Sequence, residues 1–140
     1  MAGSVEPRPR RRSRTLLALA GLAVAAAVAG TACGSGGGVD TSKYVEPKGP
    51  PVKVLAFKAK NFKFTPDQVR APSGILEFKV TSTEATHDLA IHEVEGFLVP
   101  KVSQGQTASK KADLKPGTYH FYCTIPGHEA AGMKGTLVVE

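Results

Sequence analysis

The sequence has too few residues for two domains, no apolar run long enough to span a bilayer and, past its first residues, little excess charge. Its 140 residues suit one domain of ordinary size, which excludes a multidomain enzyme. Five arginines and one glutamate in the first fourteen residues account for +4 of the net charge of +6. The rest of the chain therefore offers little support for a basic surface that binds nucleic acid. The overall composition, 41% hydrophobic and 21% charged, is that of a globular protein with a folded core.

The basic start leads into an apolar run over residues 16–29 and then into Gly30-Thr31-Ala32-Cys33. A charged stretch, a short apolar core and small residues before a cleavage point are typical of an export signal, and the run is shorter than the roughly 20 residues of a membrane-spanning helix. Small residues directly before Cys33 resemble a bacterial lipoprotein signal, in which cleavage leaves the cysteine as an acylated first residue. We therefore predict a signal peptide over 1–32, lipidation at Cys33 and a glycine-rich flexible tether over 33–51.

Two alternatives stay open for this segment. Gly30 lies three positions before Cys33, where the lipoprotein pattern usually has an aliphatic residue, so a secreted or periplasmic soluble protein cut near Ala32 is the alternative. The export route is also open. Arg11-Arg12 is followed by charged Arg14, where a twin-arginine signal has apolar residues.

From Val52 to Glu140 the chain consists of short β-compatible runs separated by turn signals, with no stretch of helical period. Within residues 75–81, for example, apolar and polar side chains alternate. The predicted strands cover 52–59, 62–64, 75–81, 87–92, 106–114, 118–123 and 133–140. Several short strands, with no helices to cover a parallel sheet, predict an all-β fold, an antiparallel Greek-key β-sandwich that forms a single domain over 52–140.

The residues that carry chemistry lie close together near the end of the sequence. Cys123, His128 and Met133 offer a thiolate, an imidazole and a thioether within eleven residues, on a loop between two predicted strands. A thioether is a poor ligand for zinc, calcium or magnesium, whereas two imidazoles, one thiolate and a weak axial methionine form the blue-copper set. The pattern therefore predicts a copper site and requires a second histidine from elsewhere.

Position in the predicted fold selects the second histidine. His87 starts a strand after the turn at 82–86, which places it at an end of the sandwich. His120 faces away from Cys123 on its own strand, and His92 faces the other side of its strand from His87. We therefore predict that His87 is a ligand and that the other two are surface histidines.

The spacing Cys-x4-His-x4-Met, with a strand on either side, resembles the C-terminal half of a cupredoxin, the family of plastocyanin, azurin and auracyanin. Pro116-Gly117-Thr118-Tyr119 and His87-Asp88-Leu89 are similar to the same family. The resemblance implies one type 1 copper per chain, with His87, Cys123 and His128 as equatorial ligands and Met133 as the axial ligand. It also places Asp88 beside the copper, where many members have an asparagine that braces the ligand loop.

The resemblance further implies a function. The expected protein is a monomeric one-electron Cu(I)/Cu(II) carrier rather than an enzyme, tethered at the outer face of the cell membrane and bound to no nucleic acid. Electrons are expected to pass through His128 between a donor and an acceptor redox protein whose identities the sequence does not name.

Three other interpretations make different demands on the sequence. A copper enzyme needs further copper centres and domains, and the two-copper centre of terminal oxidases needs two cysteines on the ligand loop, where this chain has one. An extracytoplasmic copper storage or delivery protein would favour clusters of methionine and histidine, yet the chain contains only Met1 and Met133. A disulfide between Cys33 and Cys123 would abolish the metal site.

Two sets of residues outside the site also receive predictions. The predicted core contains five phenylalanines, Phe57, Phe62, Phe64, Phe78 and Phe121. Three lysines, Lys58, Lys60 and Lys63, are interpreted as a solvated strand face, with docking to an acidic redox partner as the alternative.

Overall fold

The computed structural model describes residues 38–140, so the predicted signal peptide and Cys33 lie outside the described residues. None of the described residues forms a helix long and apolar enough to cross a membrane. The described chain contains nine strands: β1 (Lys53–Lys60), β2 (Lys63–Thr65), β3 (Gln68–Ala71), β4 (Gly74–Ser82), β5 (His87–Ile91), β6 (Leu98–Val102), β7 (Thr107–Leu114), β8 (Gly117–Tyr122) and β9 (Lys134–Val139).

The strands form two sheets, with the orders β2-β1-β4-β7 and β3-β9-β8-β5-β6. The predicted all-β sandwich is therefore confirmed. Most neighbouring strands are antiparallel, but β1 pairs with β4 and β3 pairs with β9 in parallel. The parallel pairs arise because the chain leaves the first sheet after β2, passes through β3 in the second sheet and re-enters the first sheet as β4, in the direction of β1.

Alternating side chains build the core between the sheets. In β1, Leu55, Phe57 and Ala59 are buried while the residues between them are exposed, which is the period of a strand with one face inside. The rings of Phe57 and Phe121 contact each other across the sandwich, with centroids 4.9 Å apart. Burying each ring stabilises the fold by about 1.5–3 kcal/mol. Phe121 therefore fixes β8 of the second sheet against β1 of the first sheet. Cys123, two residues further on, then points inward at the end of the sandwich.

The structure differs from the prediction at three places. Strands β3 and β6 were not predicted, because the first is short and polar and the second contains Pro100. Phe62 is 47% exposed and is not a core residue. The hairpin between β1 and β2 pairs Lys60 with Lys63, so Phe62 lies in the two-residue turn between them. Because it is not part of either strand, the inward and outward alternation of strand residues does not apply to its side chain.

Part of the predicted tether packs against the sandwich. The ring of Tyr44 contacts Phe97 edge-on at 5.5 Å, and its hydroxyl donates a hydrogen bond of 2.6 Å to the carbonyl of Lys111 in β7. The carboxylate of Glu46 accepts the backbone N–H of Lys111 at 3.0 Å. Residues 44–46 are therefore held on the edge strand β7. We call this segment the strap.

Candidate metal centre

The ligand types predicted from the sequence converge at one end of the sandwich. His87 begins β5, Cys123 follows the end of β8, and His128 lies on the loop between β8 and β9. One ligand atom from each of these three residues lies within 4.8 Å of the other two. Among residues 38–140 this is the only such group of three or more histidine, cysteine, aspartate or glutamate side chains.

The pairing of β5 is irregular at the two polar residues that begin it, in a strand whose five residues are all buried. In a regular strand His87 and Asp88 would face opposite sides of the sheet. The register of β5 with β6 shifts between His87 and Leu89, which marks a bulge. Bulges redirect side chains next to functional sites, and both residues are buried at this one.

Cys123 is a buried cysteine, 1% exposed, with its Sγ atom 3.5 Å from Nδ1 of His128. Burial raises the pKa of the thiol to about 11, although the backbone N–H groups of Asp88 and Ile125 favour the thiolate. The thiolate is the form that binds metal, so a bound cation would replace the thiol proton. The backbone at Asp88 and Ile125 therefore favours the charged form of the sulfur that metal binding requires.

The ring of His87 shows that this site suits a metal. The side chain is 1% exposed, and neither ring nitrogen has a hydrogen-bond partner. Leaving a buried polar group unpaired costs about 1–3 kcal/mol. A copper ion bound to a ring nitrogen of His87 would supply the missing partner. Burial, together with the neighbouring His128, lowers the pKa of His87, against the opposing effects of Glu84 and Asp88. The neutral imidazole is the form that binds a metal.

The loop that carries His128 is compact because its backbone is hydrogen-bonded at both ends. The N–H of Cys123 donates to the carbonyl of Met133 at 3.0 Å, and the N–H of Met133 donates to the carbonyl of His128 at 3.0 Å. Gly127 and Gly132 adopt positive φ angles of 84° and 106°, which glycine allows at little cost. Met133 is fully buried, and its backbone is hydrogen-bonded to both Cys123 and His128.

Asp88 braces the ligand loop, as the resemblance implied. Its two carboxylate oxygens accept the backbone N–H of Thr124 at 2.7 Å and the hydroxyl of Thr124 at 2.6 Å. Thr124 directly follows Cys123, so the brace fixes the backbone beside the sulfur. Sequence analysis missed Thr124, because only the fold brings these residues together across 36 positions of the chain.

His92 and His120 lie on the surface, as predicted, but each has a carboxylate partner. Nε2 of His92 lies 3.0 Å from Glu129, and the His92 ring stacks on Tyr122 with centroids 3.9 Å apart. His120 pairs in the same way with Glu93, whose pKa is lowered because the backbone and ring hydrogen bonds from His120 outweigh the effect of its partial burial.

The other neighbour of the site that sequence analysis missed is Phe62. Its ring meets the ring of His128 edge-on, with centroids 4.8 Å apart. His128 is only partly buried, so these two rings form the accessible side of the cluster. No sequence pattern joins the two positions, because the hairpin β1–β2 and the ligand loop meet only in the folded chain.

Comparisons with known proteins agree with the geometry. Residues 52–140 match the family described as copper binding proteins, plastocyanin/azurin family. Plastocyanin from Dryopteris crassirhizoma is 34% identical over 101 residues, which cover 57% of this chain and 90% of that protein. Auracyanin-B from Chloroflexus aurantiacus is 71% identical over 24 residues, which cover 17% of this chain but only 10% of that protein.

Solved structures of auracyanins share the fold. A structure of auracyanin B superposes with a TM-score of 0.61 at 19% identity and covers 68% of this chain and 94% of that chain. Reduced auracyanin from Roseiflexus castenholzii superposes with a TM-score of 0.54 at 22% identity and covers 66% of this chain and 99% of that chain. Both are two-sheet β-sandwiches like the one described above.

Proposed function

The chain belongs to the plastocyanin/azurin family of copper-binding proteins, and from this membership we propose how its site works and where in the cell it acts. It is a type 1 blue copper electron-transfer protein, not an enzyme. The cofactor is copper, which supplies one-electron Cu(I)/Cu(II) chemistry when bound. An electron carrier of this kind acts between a donor and an acceptor redox protein.

The observation that carries the ligand assignment is the buried cluster of His87, Cys123 and His128, together with the unpaired nitrogens of His87. We assign these three residues as the equatorial ligands and buried Met133 as the axial ligand. Cys123 would supply the thiolate, which the backbone at Asp88 and Ile125 favours, and the partly exposed His128 would be the side through which the electron passes.

The ligand assignment is tested by titrating the metal-free protein with Cu(II) and recording visible and electron paramagnetic resonance spectra. We expect an intense blue thiolate charge-transfer band with narrow copper hyperfine splitting, complete at one copper per chain. Cys123→Ser is expected to abolish the band, whereas the matched control Cys33→Ser, which removes the other cysteine, is expected to keep it. Colourless binding by the unsubstituted protein would contradict the assignment.

We further propose that the carrier is exported and anchored by a lipid to the outer face of the cell membrane. The support is the signal pattern over 1–32, the small residues before Cys33 and the glycines that follow it. In this proposal residues 33–51 connect the anchor to the copper domain over 52–140, and the strap holds part of this connection on the sandwich.

Metabolic labelling with a radioactive fatty acid, followed by membrane fractionation, tests the anchor. The full chain and Cys123→Ser are expected to carry label and to sediment with membranes. Cys33→Ser is expected to lose both properties. Label on Cys33→Ser, or an unlabelled soluble product from the full chain, would contradict the lipid anchor and leave the copper site assignment unaffected.

A further inference from the structure

The outer face of the first sheet is basic in the half that lies nearest the metal centre. The alternation of β1 exposes Lys58 and Lys60, and the hairpin pairs Lys60 with Lys63 on β2. These three lysines, Lys58, Lys60 and Lys63, are called the lysine face. The outward positions of the first sheet that surround these lysines carry no carboxylate. The nearest acidic residue among the outward positions of its strands is Glu77, further along β4.

The positive charges are placed at some cost to the fold. Lys60 and Lys63 face each other directly across the hairpin, and like charges in this position are destabilising. The neighbouring outward position pairs Lys58 with Thr65 and Thr81, which do not neutralise it. The sheet itself therefore does not compensate the charge of the lysine face. Beside the hairpin, the carboxylate of Glu84 accepts the backbone N–H of Asn61 at 2.9 Å, which leaves the three lysines in excess of the acidic groups there.

The turn between the lysines presents an apolar ring. Asn61 and Phe62 both have positive φ, 49° and 56°, in a two-residue turn where glycine usually follows asparagine. A bulky residue is strained in this conformation. Phe62 is nevertheless 47% exposed and lies against His128, so it gains little from burial in the core.

We propose that the lysine face and Phe62 form the docking surface for an acidic redox protein that exchanges electrons through His128. This inference rests on the proposed function and names the chemistry of the partner. Opposite charges speed the encounter of two proteins and suppress wrong partners, and salt screens them. The exposed ring supplies the apolar contact that interface centres contain. In each encounter one electron passes between the copper and the partner's redox centre, so one is oxidised as the other is reduced.

An acidic protein fits this surface better than an anionic membrane does. The lysine face adjoins Phe62, and Phe62 contacts His128. A lipid surface held by these lysines would cover the accessible side of the site and hinder the approach of any redox protein. An acidic protein held there would bring its own redox centre next to His128.

The test compares two variants of equal net charge. K60E/K63E reverses two charges on the lysine face. K48E/K115E reverses two exposed charges elsewhere. Lys48 precedes Gly49, whose carbonyl accepts a hydrogen bond from Lys111 of β7, and Lys115 follows the end of β7. That end of β7 pairs with Gly74 of β4, whereas the hairpin lies next to the Ser82 end of β4. All four positions are exposed, so both variants are expected to fold.

The first readout is binding, measured in a neutral detergent on the metal-free protein processed at Cys33, which lacks the five arginines of residues 1–14. The probe is a fluorescent peptide of ten glutamates, titrated at low ionic strength and followed by anisotropy. We expect K60E/K63E to bind at least about tenfold more weakly than the unsubstituted chain, and K48E/K115E to bind within about twofold of it. Equal weakening in both variants would overturn the proposal, because net charge alone would then explain it.

The second readout is the rate at which the reduced copper form gives one electron to hexacyanoferrate(III), followed by stopped flow. At low ionic strength we expect about a tenfold slower reaction in K60E/K63E and little change in K48E/K115E. Added salt is expected to slow the unsubstituted chain and to remove most of the difference between the variants. Unchanged rates in both variants would overturn the proposal.

Two further results separate this proposal from its neighbours. Nanodiscs of phosphatidylcholine, with and without phosphatidylglycerol, replace the peptide in the same assay. The proposal would be overturned if the unsubstituted protein bound the anionic discs tightly and did not bind the peptide, and if only K60E/K63E lost the binding to the discs. The lysine face would then be assigned to a lipid surface. Absence of the blue band from the unsubstituted protein would instead overturn the proposed function, and with it any role of the lysine face in electron transfer.

Discussion

Asp88 connects the ligand loop to the start of β5 and is the charged side chain beside the sulfur of Cys123. Its hydrogen bonds to the N–H and hydroxyl of Thr124 fix the first residue of the loop. Residues around a metal site orient the ligands and tune its electronics. A carboxylate at this position therefore does two things, since it braces the loop and also places a negative charge near the metal.

Asp88→Asn is expected to raise the reduction potential of the copper. The oxidised site carries one more positive charge than the reduced site, so removing a nearby negative charge disfavours Cu(II). A unit charge several ångströms away in a medium of effective dielectric constant about 20 corresponds to a shift on the order of 100 mV. Protein-film voltammetry measures the potential. Asp113→Asn, an exposed aspartate near the other end of the sandwich, is the control, and an equal shift in both variants would contradict the assignment.

At the scale of elements, the ligand loop is held from outside by the end of β5. His92 contacts Glu129, the residue after His128, and stacks on Tyr122, the residue before Cys123. Each contact is partly exposed and modest in energy. Together they connect both flanks of the loop to the same histidine, and the loop must open locally for copper to leave.

His92→Ala is expected to speed the loss of copper to an excess chelator about threefold to tenfold, which corresponds to about 1 kcal/mol of lost loop stability. The matched control is His120→Ala, which removes a similar histidine–glutamate contact that lies outside the loop. The decay of the blue band measures the rate. Equal acceleration in both variants would mean that His92 acts on the whole domain rather than on the loop.

At the scale of the whole molecule, the strap adds a stretch of chain before β1 to the sandwich. The ring of Tyr44 packs on Phe97, the residue before β6 of the second sheet. Its hydroxyl donates a hydrogen bond to the carbonyl of Lys111 in β7 of the first sheet. Glu46 occupies a backbone donor of β7, which is an edge strand. Free strand edges invite pairing with other chains, so the strap also protects this edge.

The strap makes the free energy of unfolding fall as the pH rises above about 10. Burial, with smaller effects of Glu46 and Asp113, raises the pKa of Tyr44 from 10.0 to about 12. The folded state therefore favours the protonated phenol, so its contribution is fully present below about pH 10 and is lost as the pH rises toward 12. Because the ring of Tyr44 is only about half-buried, solvent screening reduces this loss to about 1 kcal/mol.

Tyr44→Phe is expected to lower the free energy of unfolding by about 1 kcal/mol at neutral pH, because it removes one hydrogen bond. Between pH 10 and 12 the variant is expected to lose less stability than the unsubstituted protein, so the two curves converge. Urea unfolding of the metal-free proteins at a series of pH values measures this difference. Parallel curves across this range would show that Tyr44 does not titrate with folding.

Much of the site could be predicted from the sequence because its information is local. Cys123, His128 and Met133 lie on one loop, and the alternation of a strand separates inward from outward positions without knowledge of the partner strand. The same alternation placed His92 and His120 on the surface, where the structure has them. The type of element and the two-sheet sandwich also followed from short alternating runs.

The sequence by itself determined the metal, the ligand types and the fold class, because ligand chemistry and strand period are properties of residues and their spacing. Only the tertiary structure decided that Asp88 accepts from Thr124, that Phe62 leaves the core to lie against His128, that His92 holds the ligand loop and that the strap packs on β7. Each of these contacts joins distant parts of the chain. Contacts of that kind depend on strand register and turn geometry, which pairing between strands sets and no single segment encodes.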